Sequence, residues 1–334
     1  GKTQIICLVR NGDKKRLEDV LSWYFGAGWT AGIRSRIRVA AGDLSLPCLG
    51  MEEREWKALA DEVDGIYHSA ADVRHYAADA GEFMNTNVTG TETMIALSLQ
   101  ADAVLHYIST ASISGDFLKE EPEKQMVFTE DDFYIGQNWE DNIYIRSKFL
   151  AEACIYKAME EKGLNARVYR LGRITGRCTD HVFQRNPESN AAYLMMRAVR
   201  ALGAITESMS LLPVDLTPVD WCAAAVAALS GSDRTALHLL NPQPPSMKEV
   251  AQVLVPDLVI VPDESYGMLL QERMNEENRD ILAPLLDYYN RTGIGESRIQ
   301  VDCSKTLETF KKEGFGWEIP PAARLIEGFS GLFT

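Results

Sequence analysis

The sequence lacks several features that would place a chain of 334 residues in other protein classes. No apolar run approaches the roughly 18 residues that a membrane-spanning helix needs, and no signal peptide is visible. The six cysteines are scattered without a Cys-x-x-Cys spacing, which argues against a disulfide framework and against a zinc site. We therefore expect reduced thiols, no metal, no membrane partner and a cytoplasmic location.

Positive charge is also scarce. The 34 Lys and Arg residues are outnumbered by 48 Asp and Glu residues, which gives a net charge of −14. A nucleic-acid-binding protein needs a basic face for phosphate contacts, so no nucleic-acid partner is expected. An anionic small ligand stays compatible with this charge, because it needs only local positive groups.

What the sequence does contain is an alternation of short apolar segments and helical patterns over its first two thirds. Strands are predicted at Gln4–Val9, Ile37–Ala41, Gly65–His68, Val104–Ser109 and Ala166–Leu171. Helices are predicted between them, at about residues 14–24, 52–63, 82–99 and 143–162. Strands that alternate with helices of this length predict an α/β fold with a doubly wound parallel sheet.

The last hundred or so residues have a different pattern. After "NPQPPS" (Asn241–Ser246) helical patterns prevail, and a strand is indicated only at Leu258–Val261. We predict a ligand-binding α/β domain over residues 1–240. A smaller, mainly helical substrate lobe is predicted over residues 241–334, with a contribution from residues 179–205.

An open α/β sheet binds its ligand beyond the carboxyl ends of its strands. Small, polar or glycine residues follow each predicted strand, as close approach to a ligand requires. The candidate segments are Arg10, "AGDL" (Ala41–Leu44), "HSAADV" (His68–Val73), "ISTAS" (Ile108–Ser112) and "LGRITG" (Leu171–Gly176).

A dinucleotide-binding sheet normally carries a glycine-rich turn after its first strand, and none follows Gln4–Val9. "GAGWTAG" (Gly26–Gly32) follows a helical pattern and precedes no helix start, so we interpret it as an ordinary loop. If Gln4–Val9 is the second strand of such a sheet, the first strand and its glycine turn are expected to be missing from this sequence.

The position of Arg10, at the end of this strand, indicates a role in cofactor binding. An acidic residue at the end of the second strand binds the adenosine ribose 2′-hydroxyl, whereas an arginine accommodates a 2′-phosphate. Arg10 therefore favours NADPH over NADH, and Lys14, Lys15 and Arg16 add local positive charge. A solvated arginine at the start of a loop is the alternative.

"YIRSK" is the most informative segment. Tyr144 and Lys148 are four residues apart in a predicted helix and so share one face. A neighbouring ammonium favours the phenolate and lowers the tyrosine pKa from about 10, which makes the hydroxyl a usable general acid. Thr110 ends a predicted strand 34 residues before Tyr144, and its hydroxyl could share an oxyanion with the tyrosine. Two helix-surface residues are the alternative for the Tyr-Lys pair alone.

In order, these segments resemble an extended short-chain dehydrogenase/reductase, and more narrowly the thioester reductase domains that end some nonribosomal peptide synthetases and carboxylic acid reductases. The resemblance covers about Gln4 to Leu229, without the glycine-rich element of that family. The matching segments are "CLVR", "VAAGDLSLPCLGM", "VDGIYHSAADV", "NTNVTGTETM", "HYISTASI", "YIRSKFLAE", "YRLGRITGR" and "LTPVDWCAAAV".

The resemblance implies a Rossmann-type NADP-binding domain over residues 1–240. It implies catalytic roles for Thr110, Tyr144 and Lys148, and NADPH as the cofactor. The implied cofactor contacts are Arg10 at the 2′-phosphate, Asp43 and Leu44 at the adenine, Ser69, Ala70 and Ala71 at the phosphates and ribose, and Leu171, Gly172 and Ile174 beside the nicotinamide.

The implied activity is NADPH-dependent reductive release of an acyl or peptidyl thioester from the phosphopantetheine arm of a carrier protein. The product would be an aldehyde or, after a second hydride, an alcohol. The chain would act as a monomeric domain of a larger multidomain enzyme, with Arg185, Arg197 and Arg200 as candidate carrier contacts. Two alternatives stay open: an extended reductase or epimerase of a free small molecule, and a non-catalytic NADP(H) sensor.

Several other polar residues are interpreted as structural. His68 and His106 lie in predicted strands and are expected to be core histidines with satisfied hydrogen bonds. Asn87 opens "NVTG" and fits either helix architecture or a role in the site. The acidic run from Glu120 to Asp132 is expected to be a solvated loop.

Overall fold

A computed structural model describes residues 3–26, 33–73, 80–292, 297–318 and 320–331. The strands are β1 Ile5–Val9, β2 Ile37–Ala41, β3 Gly65–His68, β4 Val104–Thr110, β5 Met126–Phe128, β6 Ala166–Leu171, β7 Ile174–Thr175, β8 Ala204–Thr206, β9 Thr217–Pro218, β10 Ala236–Leu239, β11 Val259–Val261 and β12 Ile299–Val301. The α-helices are α1 Lys14–Phe25, α2 Glu53–Ala60, α3 Ala80–Met84, α4 Gly90–Ala101, α5 Ile143–Lys162, α6 Ala191–Leu202, α7 Glu207–Leu211, α8 Val219–Ala228, α9 Met247–Leu254, α10 Asp263–Arg273, α11 Arg279–Thr292, α12 Ser304–Lys312 and α13 Ala322–Ser330.

Most of the predicted elements of the α/β region are present. One predicted helix, over residues 82–99, is divided: α3 is followed by a π-helical turn, Asn85–Thr89, and then by α4. The Gly90 N–H donates to the carbonyl of Asn85, which is the five-residue spacing of a π-turn. A hydrophobic pattern indicates a helix but does not reveal this one-residue change in hydrogen bonding.

Contacts divide the chain into two compact units. The first unit comprises residues 1–109 and 139–168, and the second comprises residues 110–138 and 169–334. The predicted lobe boundary after residue 240 is a different division of the chain and stays a prediction.

The first unit is built on parallel strands. β1 pairs with β2 from Ile5 opposite Ile37 to Val9 opposite Ala41, and β3 pairs in parallel with β4. β4 lies between β3 and the start of β6. Helices α4 and α5 pack against each other in this unit. The predicted α/β fold with a parallel Rossmann-type sheet is confirmed.

The second unit has a helical core and short parallel strand pairs. Helices α6, α9, α10, α11 and α13 contribute to one buried apolar cluster, which includes Val199, Val250 and Leu285. The short pairs are β8 with β11, β5 with β12, and β7 with β9. Among the described residues, no helix of either unit is long and apolar enough to cross a membrane.

In the second unit the short strands β7 to β10 were not predicted, and two further features correct the sequence analysis. Strand β12 was not predicted, and the acidic run expected to be a solvated loop contains β5, in which Phe128 is fully buried. The two errors have one cause. β5 and β12 pair with each other across a long sequence separation, and a pairing of that kind leaves little trace in the local pattern of a three-residue strand.

Two glycines with left-handed backbone provide a test of this packing. Gly115 has φ +64°, and a Cβ atom there would lie 2.5 Å from the backbone oxygen of Asn138. Gly163, which ends α5 with φ +68°, has open space at the same position. Gly163→Ala should therefore lower the free energy of unfolding by only about 1 kcal/mol, the cost of left-handed backbone for a residue with a Cβ atom. Gly115→Ala should lower it clearly more, because its Cβ atom would also clash. Urea unfolding of both variants measures the difference, and equal losses would contradict the packing described.

Candidate active site

Helix α5 positions the predicted tyrosine and lysine. Its N-cap is Asn142, whose side-chain oxygen accepts hydrogen bonds from the backbone N–H groups of Tyr144 (2.9 Å) and Ile145 (3.2 Å). This cap fixes the first turn, where Tyr144 is half-buried. Lys148 follows one turn later on the same face and is buried.

Lys148 has an enclosed environment for a charged side chain. Its Nζ donates a 2.6 Å hydrogen bond to the carbonyl oxygen of Ile108 in β4 and lies 4.3 Å from the centre of the Tyr107 ring. Burial lowers the pKa of Lys148 to about 7, and the Glu152 carboxylate acts in the opposite direction. Near neutral pH the amine is therefore close to the balance between its charged and neutral forms.

Asn87 connects α5 to the segment after β3. Its Nδ2 donates to the carbonyl oxygen of Asp72 (2.8 Å) and to Oγ of Ser147 (2.9 Å), and its Oδ1 accepts from the backbone N–H of Asp72 (2.7 Å). The π-helical turn therefore carries a buried amide that holds the loop after β3 against helix α5. The sequence had left Asn87 undecided between architecture and a role in the site.

The small residues predicted to line cofactor phosphates directly follow β3. Ser69 and Ala70 are exposed, and Ala71 is half-buried. Small side chains at an exposed strand end leave room for a ligand to approach the backbone, so this segment fits the predicted contact.

Arg10 and Asp43 are brought together at the ends of β1 and β2. Arg10 Nε lies 2.9 Å from Asp43 Oδ2, and the Arg10 side chain is 58% exposed. Asp43 Oδ1 accepts from the backbone N–H (2.9 Å) and the hydroxyl (2.7 Å) of Ser45. These Ser45 hydrogen bonds, and the charge of Arg10, hold the pKa of Asp43 below its usual value. Asp43 thus orients an arginine that still faces solvent.

The loop around Asp43 has unusual backbone geometry that the sequence did not indicate. Cys48, Leu49 and Gly50 are consecutive left-handed residues, with φ of 48°, 61° and 71°. The turn brings the carbonyl of Leu49 within 2.9 Å of the Asp43 backbone N–H. Leu44, the other predicted adenine contact, lies against Gly90 at the start of α4.

In the second unit, Thr110 is the last residue of β4 and is buried. Its Oγ1 accepts a 3.2 Å hydrogen bond from the backbone N–H of Ser112 and so caps a short 3₁₀ turn, Ala111–Ser114. The hydroxyl hydrogen is not used in this contact, so Thr110 can still donate a hydrogen bond.

The predicted nicotinamide segment, Leu171–Ile174, is held by a carboxylate that the sequence analysis did not single out. Asp215 Oδ2 accepts from the backbone N–H of Arg173 (2.8 Å), and Oδ1 accepts from the Thr217 hydroxyl (2.7 Å). A Cβ atom on Gly172 would lie 2.0 Å from Asp215 Oδ2, so a larger residue there would displace the Asp215 carboxylate. Burial raises the pKa of Asp215, against the effect of these hydrogen bonds.

The two strand histidines are core residues, as predicted. His68 is buried with its Nε2 3.1 Å from the Thr91 hydroxyl, and burial lowers its pKa to about 3. His106 is buried and stacks on Tyr67, and burial lowers its pKa to about 4. In the part of the chain that the structure describes, no group of three or more His, Cys, Asp or Glu residues could hold a metal ion.

The "GAGWTAG" segment lies almost entirely outside the described residues. Its first glycine, Gly26, ends α1 with φ 68°. The helix that was predicted to precede the segment is therefore present.

Comparison with known proteins places these features in a family. Residues 1–226 match the NAD-binding family described as Male sterility protein. The chain is 30% identical to a linear gramicidin synthase protein of Brevibacillus parabrevis over 247 residues, which cover 71% of this chain and 5% of that protein. It is 28% identical to a carboxylic acid reductase of Segniliparus rugosus over 256 residues, which cover 69% of this chain and 21% of that protein. The chain thus spans only a small part of the length of these curated relatives.

Solved structures give the same result for the fold. A thiolation-reductase di-domain from an archaeal non-ribosomal peptide synthetase superposes with a TM-score of 0.83 at 27% identity, and the match covers 99% of this chain and 70% of that one. The terminal R domain of the myxalamid PKS-NRPS pathway, at 24% identity, superposes with a TM-score of 0.82 over 98% of this chain and 83% of that one, which supports the fold alone. The chain therefore belongs to the NAD-binding family described as Male sterility protein, and its resemblance to the thioester reductase domains of the extended short-chain dehydrogenase/reductase superfamily is confirmed.

Proposed function

We propose that this chain is the reductase domain of a larger enzyme and that it uses NADPH to release an acyl or peptidyl thioester from a carrier protein as an aldehyde. The observation that carries the proposal is the buried Lys148 one helical turn from the half-buried Tyr144, because a lysine ammonium beside a tyrosine is what a general-acid hydroxyl requires. An NADP(H) sensor has no need of this pair. The similarity to a linear gramicidin synthase protein and to a carboxylic acid reductase supports the thioester substrate.

Three side chains would divide the chemistry. When bound, the nicotinamide supplies a hydride to the carbonyl carbon of the thioester. Thr110 donates a hydrogen bond to the oxygen on which negative charge develops, and Tyr144 donates a hydrogen bond and then its proton to the same atom. Lys148 would stabilise the resulting phenolate through its positive charge and would hold the nicotinamide ribose.

The hemithioacetal formed in this way then collapses. Its carbon–sulfur bond breaks, the hydroxyl oxygen loses its proton as the carbonyl of the aldehyde forms, and the sulfur gains a proton and leaves as the thiol of the phosphopantetheine arm. One NADPH, one proton and one thioester thus give one NADP⁺, one aldehyde and one thiol. A second hydride would carry the aldehyde to an alcohol.

The residues at the strand ends fit NADPH. The exposed guanidinium of Arg10, held through Nε by Asp43, has two further nitrogens that suit bidentate binding of a 2′-phosphate. Asp43 and Leu44 would flank the adenine. Ser69, Ala70 and Ala71 would line the phosphates and ribose, and Leu171, Gly172 and Ile174 would lie beside the nicotinamide.

The carrier protein would dock on the helical part of the second unit. A solved relative joins a thiolation domain to a reductase domain in one chain, which supports a partner of this kind. Arg185 and Arg200 are exposed and suit an acidic carrier, whereas Arg197 is half-buried and its guanidinium lies 5.8 Å from the ring of Tyr193. The first two are therefore the better candidates for the docking face.

Tyr144→Phe tests the catalytic proposal, because it removes only the hydroxyl. We expect turnover of an acyl-pantetheine thioester to fall at least about 100-fold, the usual contribution of a general acid. NADPH affinity, measured by fluorescence titration, should stay within about twofold. Tyr156→Phe, on the same helix, is the matched control and should keep wild-type turnover. Undiminished activity of Tyr144→Phe would exclude the mechanism.

Arg10→Gln tests the choice of cofactor. Loss of a charge-assisted contact to phosphate should raise the KM for NADPH about tenfold or more, while the KM for NADH should change little. Arg54→Gln, an exposed arginine on α2, is the control for a general change in surface charge. If the KM values for NADPH and NADH rise equally, or if neither rises, Arg10 does not bind the 2′-phosphate.

A further inference from the structure

We propose that Glu152 is a positioning residue that keeps Lys148 charged inside the first unit, and that Ser109 fixes the Glu152 carboxylate in place. The effect on catalysis rests on the proposed function, but the effect on the lysine itself does not. Nothing in the Tyr-Lys spacing alone points to this third residue.

Lys148 and Glu152 lie on one face of α5. Glu152 follows Lys148 by four residues, so the two side chains lie one above the other, and both residues are buried, with exposed fractions of 0% and 4%. The Ser109 hydroxyl donates a short hydrogen bond to Glu152 Oε1. Ile108, the residue before Ser109 in β4, accepts the hydrogen bond of the Lys148 ammonium. Two adjacent residues of β4 thus hold this pair: Ile108 binds Lys148, and Ser109 binds Glu152.

A buried carboxylate of this kind needs an explanation, because burying a charge is costly unless it is paired and hydrogen-bonded. Ser109 provides a hydrogen bond, and Lys148 provides the opposite charge. Conversely, burial removes most of the hydration of Lys148. Its ammonium contacts the carbonyl oxygen of Ile108 and the face of the Tyr107 ring, and the negative charge of Glu152 stabilises it electrostatically. Each group therefore offsets part of the cost of burying the other.

The other titratable groups around the ammonium do not replace Glu152. Burial and, to a smaller extent, the positive charge of Lys148 lower the pKa of His68 on β3 to about 3, so His68 is neutral at neutral pH and brings no charge of its own. Tyr107 on β4 lies against the ammonium, and burial and Glu152 raise its pKa well above the usual value, so it also stays neutral. Tyr144 and Cys154, both on α5, act in the same upward direction on Tyr107.

The sign of the effect on Lys148 follows from its burial. Burial lowers the pKa of the amine, and the negative charge of Glu152 raises it again. Without that charge the pKa falls further, so at pH 7 a smaller fraction of Lys148 is protonated. Since Tyr144 relies on the ammonium, the loss of activity should be small at pH 6 and should grow as the pH rises to 8.

The direct test is an NMR titration of Lys148 in the whole chain. Protein labelled with ¹³Cε-lysine is titrated between pH 5 and 10, and the Lys148 signal is identified by its absence from Lys148→Met. We expect Glu152→Gln, which is isosteric and can still accept from Ser109, to lower the Lys148 pKa by about one unit or more. Glu160→Gln, an exposed glutamate two turns further along α5, should leave it unchanged. An unchanged pKa in Glu152→Gln would overturn the proposal.

A second variant covers the case in which Glu152→Gln does not fold. Glu152→Asp keeps the charge and withdraws it by one methylene, so it should lower the Lys148 pKa by a smaller amount, and no change would again overturn the proposal. The pH profile of thioester reduction separates this role from a structural one. A structural defect lowers kcat/KM equally at every pH, whereas the proposed role makes the deficit of Glu152→Gln grow between pH 6 and pH 8. A wild-type chain without thioester reduction would refute the proposed function, and the NMR titration would still decide the role of Glu152.

Discussion

The hydrogen bond from the buried Lys148 ammonium to the carbonyl of Ile108 is the contact on which the rest of the site depends. It joins helix α5 to strand β4 of the first unit, and it places an amine where burial lowers its pKa to about 7. An amine in that position is useful only if something keeps it charged. The carboxylate of Glu152, the hydroxyl of Ser109 and the face of the Tyr107 ring provide that surrounding.

The strand-end loops follow a common plan in which a carboxylate fixes a backbone segment. Asp43 accepts two hydrogen bonds from Ser45 and orients Arg10, and Asp215 holds the turn at Arg173 so closely that a Cβ atom at position 172 would displace its carboxylate. Asn87 does the same with an amide for the segment at Asp72. Loops that approach a ligand need small residues and have little apolar packing of their own, so hydrogen-bonded polar side chains supply their rigidity.

The sequence predicted the parts of this architecture that depend on local pattern. Helix α5 and strands β2, β3 and β6 have the predicted bounds, and Tyr144 and Lys148 share a face because their spacing requires it. Pairing at a distance was not predictable: β5 and β12 are too short to identify alone, and Asp215 reaches Arg173 across 42 residues. Glu152 lies in the quoted segment "YIRSKFLAE", but a lysine and a glutamate one helical turn apart usually form a solvated surface pair. Only the burial of both residues, which the structure shows, distinguishes a buried pair from a surface pair.

The measurement that tests the central claim most directly follows the hydride to its acceptor. The chain is incubated with an acyl-pantetheine thioester and NADPH deuterated at C4, and the products are analysed by mass spectrometry alongside a thiol assay. We predict an aldehyde with one deuterium on its carbonyl carbon, which was the carbonyl carbon of the thioester, and one thiol for each such aldehyde. Deuterium transfer only to free aldehydes or ketones, with the thioester intact, would contradict it and make the chain a reductase of free carbonyl compounds.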